Sequence, residues 1–168
     1  MINNFKKIFI TGGAGFIGSH VSEVFFETFK NSKIIILDKL TYAGNKKFLS
    51  SIIKSKRVTF IKGDISNTKK YKNHLKNCDL ALNIAAESHV DNSFVSPLNF
   101  TITNTLGAHT FFLECIKNNV KKILHVSSDE VYGEKTIGTS YEDQLVNPTN
   151  PYSASKAAAE ILINSYKY

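Results

Sequence analysis

Arginine, cysteine and long apolar runs are scarce in this chain, and each scarcity excludes a class of function. Of the 21 basic residues only Arg57 is an arginine. Base readout favours the arginine fork and phosphate tracking a dense basic stripe, so a net charge of +7 set by scattered lysines argues against a nucleic-acid binder. Two cysteines, Cys78 and Cys115, stand in apolar stretches without metal-site spacing. Buried thiols are therefore expected, with neither a disulfide nor a bound metal. No stretch of about eighteen uncharged apolar residues exists to span a membrane. The start, Met1-Ile2-Asn3-Asn4-Phe5-Lys6-Lys7, lacks the basic-then-apolar order of a secretory leader, so a cytoplasmic location with no membrane partner is expected. No repeat, low-complexity tract or Pro/Gly linker divides the 168 residues, and 42% hydrophobic content suffices for one globular core.

What is present is alternation of short β-branched runs with longer helical periods. Strands are expected at Lys7 to Ile10, Lys33 to Leu37, Val58 to Lys62, Leu80 to Ile84 and Lys122 to Val126. Helices are expected at Phe16 to Phe29, Asn45 to Lys54, Thr68 to Lys76, Pro97 to Asn119, and from about Tyr152 to the end. Strand then helix, repeated, implies parallel crossovers. Continuous apolar strands such as Ile34-Ile35-Ile36-Leu37 imply helices on both sheet faces. The fold class is α/β, a doubly wound parallel sheet of Rossmann type. Such a sheet usually has about six strands, and Ser165-Tyr166-Lys167-Tyr168 offers neither a capping glycine nor a closing strand. Residues 1–168 are thus expected to form one incomplete domain.

Thr11-Gly12-Gly13-Ala14-Gly15-Phe16-Ile17-Gly18 follows the first strand and opens the first helix. Glycines there allow a tight turn, close approach of backbone N–H groups to a pyrophosphate, and tight packing of helix on sheet. Asp38, at the end of the second strand, can accept ribose hydroxyl protons and would repel a 2′-phosphate, so NAD is favoured over NADP. Asp64, past the third strand, suits either an adenine edge or a helix cap.

A second constellation lies after the fifth strand. Ser127-Ser128-Asp129-Glu130-Val131-Tyr132-Gly133 places hydroxyls and adjacent acids at a strand's carboxyl end. Tyr152 and Lys156 then share a helix face, where an ammonium favours the phenolate of a base. Tyr42 and Lys46 have the same spacing but follow the second strand beside Asp38, on the adenosine side, away from a substrate alcohol.

Together these stretches, with Leu37 to Asn45, Gly63-Asp64-Ile65, Ala85 to Asp91 and Pro151 to Ala157, resemble the extended short-chain dehydrogenase/reductase family. Within it they resemble the N-terminal part of the dTDP-glucose 4,6-dehydratases. The resemblance implies oxidation of a sugar nucleotide at C4 by tightly held NAD, loss of water across C5/C6, and hydride return to C6. By it Tyr152 takes the 4-hydroxyl proton, Glu130 the C5 proton, and Asp129 protonates the departing 6-hydroxyl. Ser128 and Ser88 meet the sugar, and Lys156 also holds a nicotinamide ribose. Gly12, Gly15, Phe16, Ile17, Gly18, Asp38, Lys39, Leu40, Thr41, Asp64, Ile65, Ile84, Ala85, Ala86, Ser88 and Thr103 line the cofactor, with Tyr152 and Lys156.

Two positions depart from the family pattern: Ser128 stands where threonine is usual, keeping the hydroxyl, and Asn92 where arginine is usual, removing a charge near the sugar. The family's C-terminal sugar-nucleotide domain is expected to be missing, and the resemblance then implies NAD binding without turnover. A homodimer formed through Pro97 to Asn119 and the last helix is also implied, although those apolar stripes suit a sheet-facing core equally. A sugar-nucleotide 4-epimerase, a UDP-glucose 4,6-dehydratase and a catalytically idle NAD-binding module stay open as alternatives. The acid pair argues against the epimerase, which needs no acids to expel the 6-hydroxyl.

Overall fold

A computed structural model describes residues 5–166. Met1 to Asn4, part of the leader argument, and Lys167-Tyr168, the end of the last expected helix, lie outside the described residues. Five strands form one parallel sheet: β1 (Lys7–Thr11), β2 (Lys33–Asp38), β3 (Val58–Lys62), β4 (Leu80–Asn83) and β5 (Lys122–His125), in spatial order β3-β2-β1-β4-β5. The chain builds outward from β1 to one side, then restarts at β4 on the other. The switch in direction between β1 and β4 opens the crevice where such sheets bind ligands.

The chain divides into two compact units: residues up to Ala85 with Thr110–Val126, and Ala86–His109 with Ser127 onward. The first holds the whole sheet. Its pleat sends alternate side chains to opposite faces. Ile8, Ile10, Ile34, Ile36 and Leu82 pack with the Phe25 ring of α1 (Phe16–Thr28), with Phe29 at its C-cap and with Leu49 and Ile52. Phe9, Ile35, Leu37 and Ala81 pack on the other face with Tyr71, Leu75, Phe111 and Cys115. Both faces are covered, as the continuous apolar strands predict. Each fully buried aliphatic side chain contributes about 1.5–3 kcal/mol of transfer free energy.

Cys78 and Cys115 are free, buried thiols, and burial pushes the Cys78 thiol up to about 11. Arg57 is engaged locally: its guanidinium donates to the carbonyls of Phe26, Phe29 and Ser32 and stacks over the Phe26 ring at 3.8 Å. Of these, the Phe26 carbonyl lies in the last turn of α1, where carbonyls lack an intrahelical partner.

Two expected helices differ. Asn45 to Lys54 is a 3₁₀ turn, Lys46–Leu49, followed by turns, and Thr68 to Lys76 is a pair of 3₁₀ turns, Thr68–Lys70 and Lys72–Leu75. Their apolar residues face the sheet at helical spacing, but one or two such anchors are satisfied by a single tight turn.

In the second unit, α2 (Val90–Val95) and α3 (Pro97–Phe100) lead into a π-helical stretch, Thr101–Gly107. α4 (Ala108–Lys117) follows, belonging from Thr110 on to the first unit, so the expected helix from Pro97 to Asn119 is not uniformly α. α5 (Pro151–Asn164) starts on a capping box in which the Asn150 side chain accepts from the Ser153 N–H and the Ser153 side chain accepts from that of Asn150.

Candidate functional site: a nucleotide cradle and an acid–base cluster

In the first unit, the turn after β1 is shaped by two close approaches. Gly12 has φ 66°, and a Cβ there would meet the Ala85 backbone nitrogen at 2.6 Å. At Gly18 a Cβ would collide with the Gly12 carbonyl, so α1 can rest on the turn only without one. The N-cap of α1 is Gly15, with no side-chain cap and no acid in the first turn, leaving its N-terminal amides and their positive dipole end for an anion. Phe16 and Ile17 are exposed at this helix start, 77% and 57%, where an apolar side chain gains from being covered by a ligand.

Asp38 is 8% exposed and holds the turn in place: Oδ2 accepts from the Ala14 N–H at 2.8 Å and Oδ1 from the Leu40 N–H at 2.7 Å. Each oxygen keeps a lone pair for a ribose hydroxyl. Leu40 itself takes the left-handed φ of 58°, and Lys39 and Thr41 are exposed beside it. Lys39 pairs with Asp64 at 2.8 Å. The other Asp64 oxygen accepts from the Ser66 N–H and hydroxyl, closing a local turn. Burial acts to raise the Asp64 pKa, but the hydrogen bonds from Lys39 and Ser66 outweigh it and hold the carboxyl below its usual value. Ile65 packs its side chain into the core, leaving only its backbone for a ligand.

A polar ladder, which the sequence reading did not single out, crosses the ends of three strands. The Thr11 hydroxyl donates to Asn83 Oδ1 at 2.6 Å and accepts from the N–H groups of Ile84 and Ala85. Asn83 Nδ2 lies 3.0 Å from His125 Nδ1. The ladder fixes the loop after β4 against which Gly12 turns. An asparagine closing the apolar run Leu80-Ala81-Leu82-Asn83 is the sequence signal that could have found it. The uncapped helix, the glycine cradle and the Asp38 carboxylate fit a dinucleotide.

The second unit gathers all five expected catalytic residues: Ser128, Asp129, Glu130, Tyr152 and Lys156. Ser128 caps the 3₁₀ turn Asp129–Tyr132, its hydroxyl accepting from the Glu130 N–H at 3.2 Å. Asp129 is exposed and Glu130 half-buried, so adjacent acids meet different surroundings. The turn is closed by Gly133, at φ 81°, and by a hydrogen bond from the Asn147 N–H to the Val131 carbonyl. Asn150 Nδ2 donates to Glu130 Oε2 at 2.9 Å, so the residue that caps α5 also holds one acid.

On α5, Tyr152 is half-buried, edge-to-face with Phe100 at 6.3 Å. Lys156 is 3% exposed, and burial pushes its ammonium down to about 8, opposed in part by the Glu160 carboxylate. Between them Ser155 donates to the Tyr152 carbonyl and accepts from Asn104 Nδ2 at 2.9 Å. Asn104, 1% exposed in the π-helical stretch, also bonds both backbone groups of Glu87. This amide joins the loop bearing Ala86 and Ser88 to the tyrosine–lysine helix, and Thr103 precedes it. The sequence analysis missed Asn104, Asn150 and Ser155; a lone asparagine in a Thr/Ile-rich run was the available signal. The Ser127 hydroxyl is buried with no partner among the described residues, a polar atom left for a ligand. Tyr42, the decoy of equal spacing, is 61% exposed, and Lys46 lies over the Phe60 ring at 5.1 Å.

Residues 9–168 match the family described as GDP-mannose 4,6 dehydratase. The chain belongs to that family. A dTDP-D-glucose 4,6-dehydratase of Dictyostelium discoideum is 44% identical over 96% of this chain and 40% of its own length. The crystal structure of a dTDP-glucose 4,6-dehydratase from Streptomyces venezuelae, solved with NAD bound, is 37% identical with a TM-score of 0.90, covering 95% of this chain and 51% of that one. A UDP-Glc/GlcNAc 4-epimerase from Campylobacter jejuni is 29% identical with a TM-score of 0.86, covering 95% and 48%. The chain spans about half the length of these proteins or less, and its homologues include both sugar-nucleotide 4,6-dehydratases and 4-epimerases. The resemblance drawn from the motifs therefore holds across nearly the whole sequence.

Proposed function

We propose that this chain is the NAD-binding and acid–base part of a dTDP-glucose 4,6-dehydratase. The observation that carries the reading is the hold of Asn150 on Glu130, which ties the acid pair to the helix bearing Tyr152 and Lys156. An epimerase returns its substrate through C4 alone and has no use for two acids so positioned.

NAD would be held by the turn Gly12 to Gly18, with Phe16 and Ile17, by Asp38 to Thr41, by Asp64 and Ile65, and by Ile84, Ala85, Ala86, Ser88 and Thr103; when bound it supplies a transient two-electron oxidation at C4. Tyr152 would remove the 4-hydroxyl proton, with the positive charge of Lys156 favouring the phenolate. Ser128 and Ser88 would orient the sugar. The resulting ketone acidifies C5, whose proton Glu130 takes while Asp129 delivers one to the 6-hydroxyl leaving as water. Residues 1–168 serve in this reading as the NAD-binding domain of a cytoplasmic homodimer.

The test is made on the protein encoded by the full reading frame that carries this chain, incubated with dTDP-glucose and examined by mass spectrometry. Loss of one water from the sugar supports the proposal. Conversion to the C4 epimer without water loss, or NAD binding with no product, contradicts it.

A further inference from the structure

Lysines that look dispersed along the chain are drawn together by the sheet. At the end of the strands opposite the Gly12 turn, the starts of β1 and β2 and the turns into β4 and β5 border a cleft of about 770 Å³. It is lined by Lys6, Lys7, Lys33, Lys76 and Lys121, with Asp79 the one acid among the lining residues. Asp79 is already engaged. Its Oδ2 accepts from the backbone N–H groups of Lys6 and Lys7 at 2.8 and 3.0 Å, and its Oδ1 from the Lys121 ammonium at 2.6 Å. The Lys121 hydrogen bond foremost, against a smaller opposing effect of burial, keeps this carboxyl below its usual pKa. The Lys7 ammonium donates to the Lys76 carbonyl at 2.8 Å. The ammonium groups of Lys6, Lys33 and Lys76 are exposed and have no carboxylate beside them among the described residues.

Gathering these charges costs the folded state self-repulsion that an entering anion relieves. Lysine is a point charge with three rotatable donors, suited to phosphate oxygens without the planar match that arginine imposes. The volume falls in the range of about 300–1,000 Å³ typical of small-molecule sites. Asn77 and Asn119, in the left-handed region at φ 56° and 53°, fix the turns into β4 and β5 and add neutral amides to the rim. A singly charged ligand would leave most of these ammonium groups unmatched.

We propose that this cleft binds a small molecule carrying two or more adjacent phosphate groups, at a site separate from the glycine-rich turn. Titration calorimetry of the 168-residue chain with inorganic tripolyphosphate at low salt tests it. One saturable site is expected, weakened about tenfold or more in Lys33→Glu/Lys76→Glu, with circular dichroism confirming the fold. Lys54→Glu/Lys56→Glu makes the same change in net charge outside the cleft and should leave the affinity within about twofold. Saturating NAD should leave tripolyphosphate binding in place; if NAD itself fails to bind, the two double variants still decide the matter. With NAD present, ATP binding tighter than tripolyphosphate identifies a nucleotide as the ligand, and equal affinity identifies the phosphate chain alone; either supports the site. Equal weakening in both double variants, displacement by NAD, absence of saturation, or preference for a single-stranded oligonucleotide overturns it.

Discussion

The two units prepare for chemistry in different materials. In the first, the groups proposed to face a pyrophosphate belong to the main chain: the Gly12 to Gly18 turn and the amides at the start of α1, with Asp38 accepting from the Ala14 N–H behind them. In the second, they are proposed to be side chains, placed through other side chains: Asn150 holds Glu130, and Asn104 anchors the helix of Tyr152 and Lys156 through Ser155. A backbone site tolerates no added atom, whereas a side-chain site tolerates shape changes but not the loss of a hydrogen-bonding partner.

The contrast is broken most severely at Gly12. Valine there combines a left-handed backbone with a collision against Ala85, so Gly12→Val should cost at least about 3 kcal/mol and abolish NAD binding, read by thermal unfolding and titration. Asn104→Leu leaves both Glu87 backbone groups without their partner and should cost about 2–4 kcal/mol, while Asn104→Asp recovers part by restoring the acceptor for the Glu87 N–H.

Lys156 sharpens the comparison through pH. Its folded-state pKa of about 8 lies below that of the unfolded chain, so below pH 8 the unfolded state binds the proton more tightly and folding is opposed. As pH rises from about 8 to 10.5 that opposition disappears. Lys156→Met should therefore raise ligand-free stability at pH 7 by on the order of 1–3 kcal/mol, lose the gain above pH 10, and abolish turnover. A variant less stable at pH 7 would contradict the buried-charge account. Asn150→Ala removes a helix cap worth about 1 kcal/mol and releases Glu130. Its turnover should fall further than its melting temperature implies.

The same division explains what the sequence reveals. Five apolar runs and a glycine turn between strand and helix are local patterns, and the sheet, α1 and the cradle could be read from them. The five side chains proposed for the chemistry stand in short motifs. Their supports were not, because Asn104 meets Ser155 across 51 residues and Thr11 meets Asn83 across 72. Nor does apolar spacing separate one tight turn from a full helix, as at Leu49 and Leu75. The lysine cleft was hidden for the same reason: its residues come from four segments and converge only when the strands align.

Water loss in the protein carrying Asp129→Asn with Glu130→Gln tests the proposed function most directly, followed by mass spectrometry beside absorbance at 340 nm. Stability should be nearly unchanged, reduced cofactor should still appear, and water loss should slow by about 10²–10⁴-fold. Elimination at the unaltered rate would remove both acids from the mechanism and leave a nucleotide-binding sheet with another chemistry.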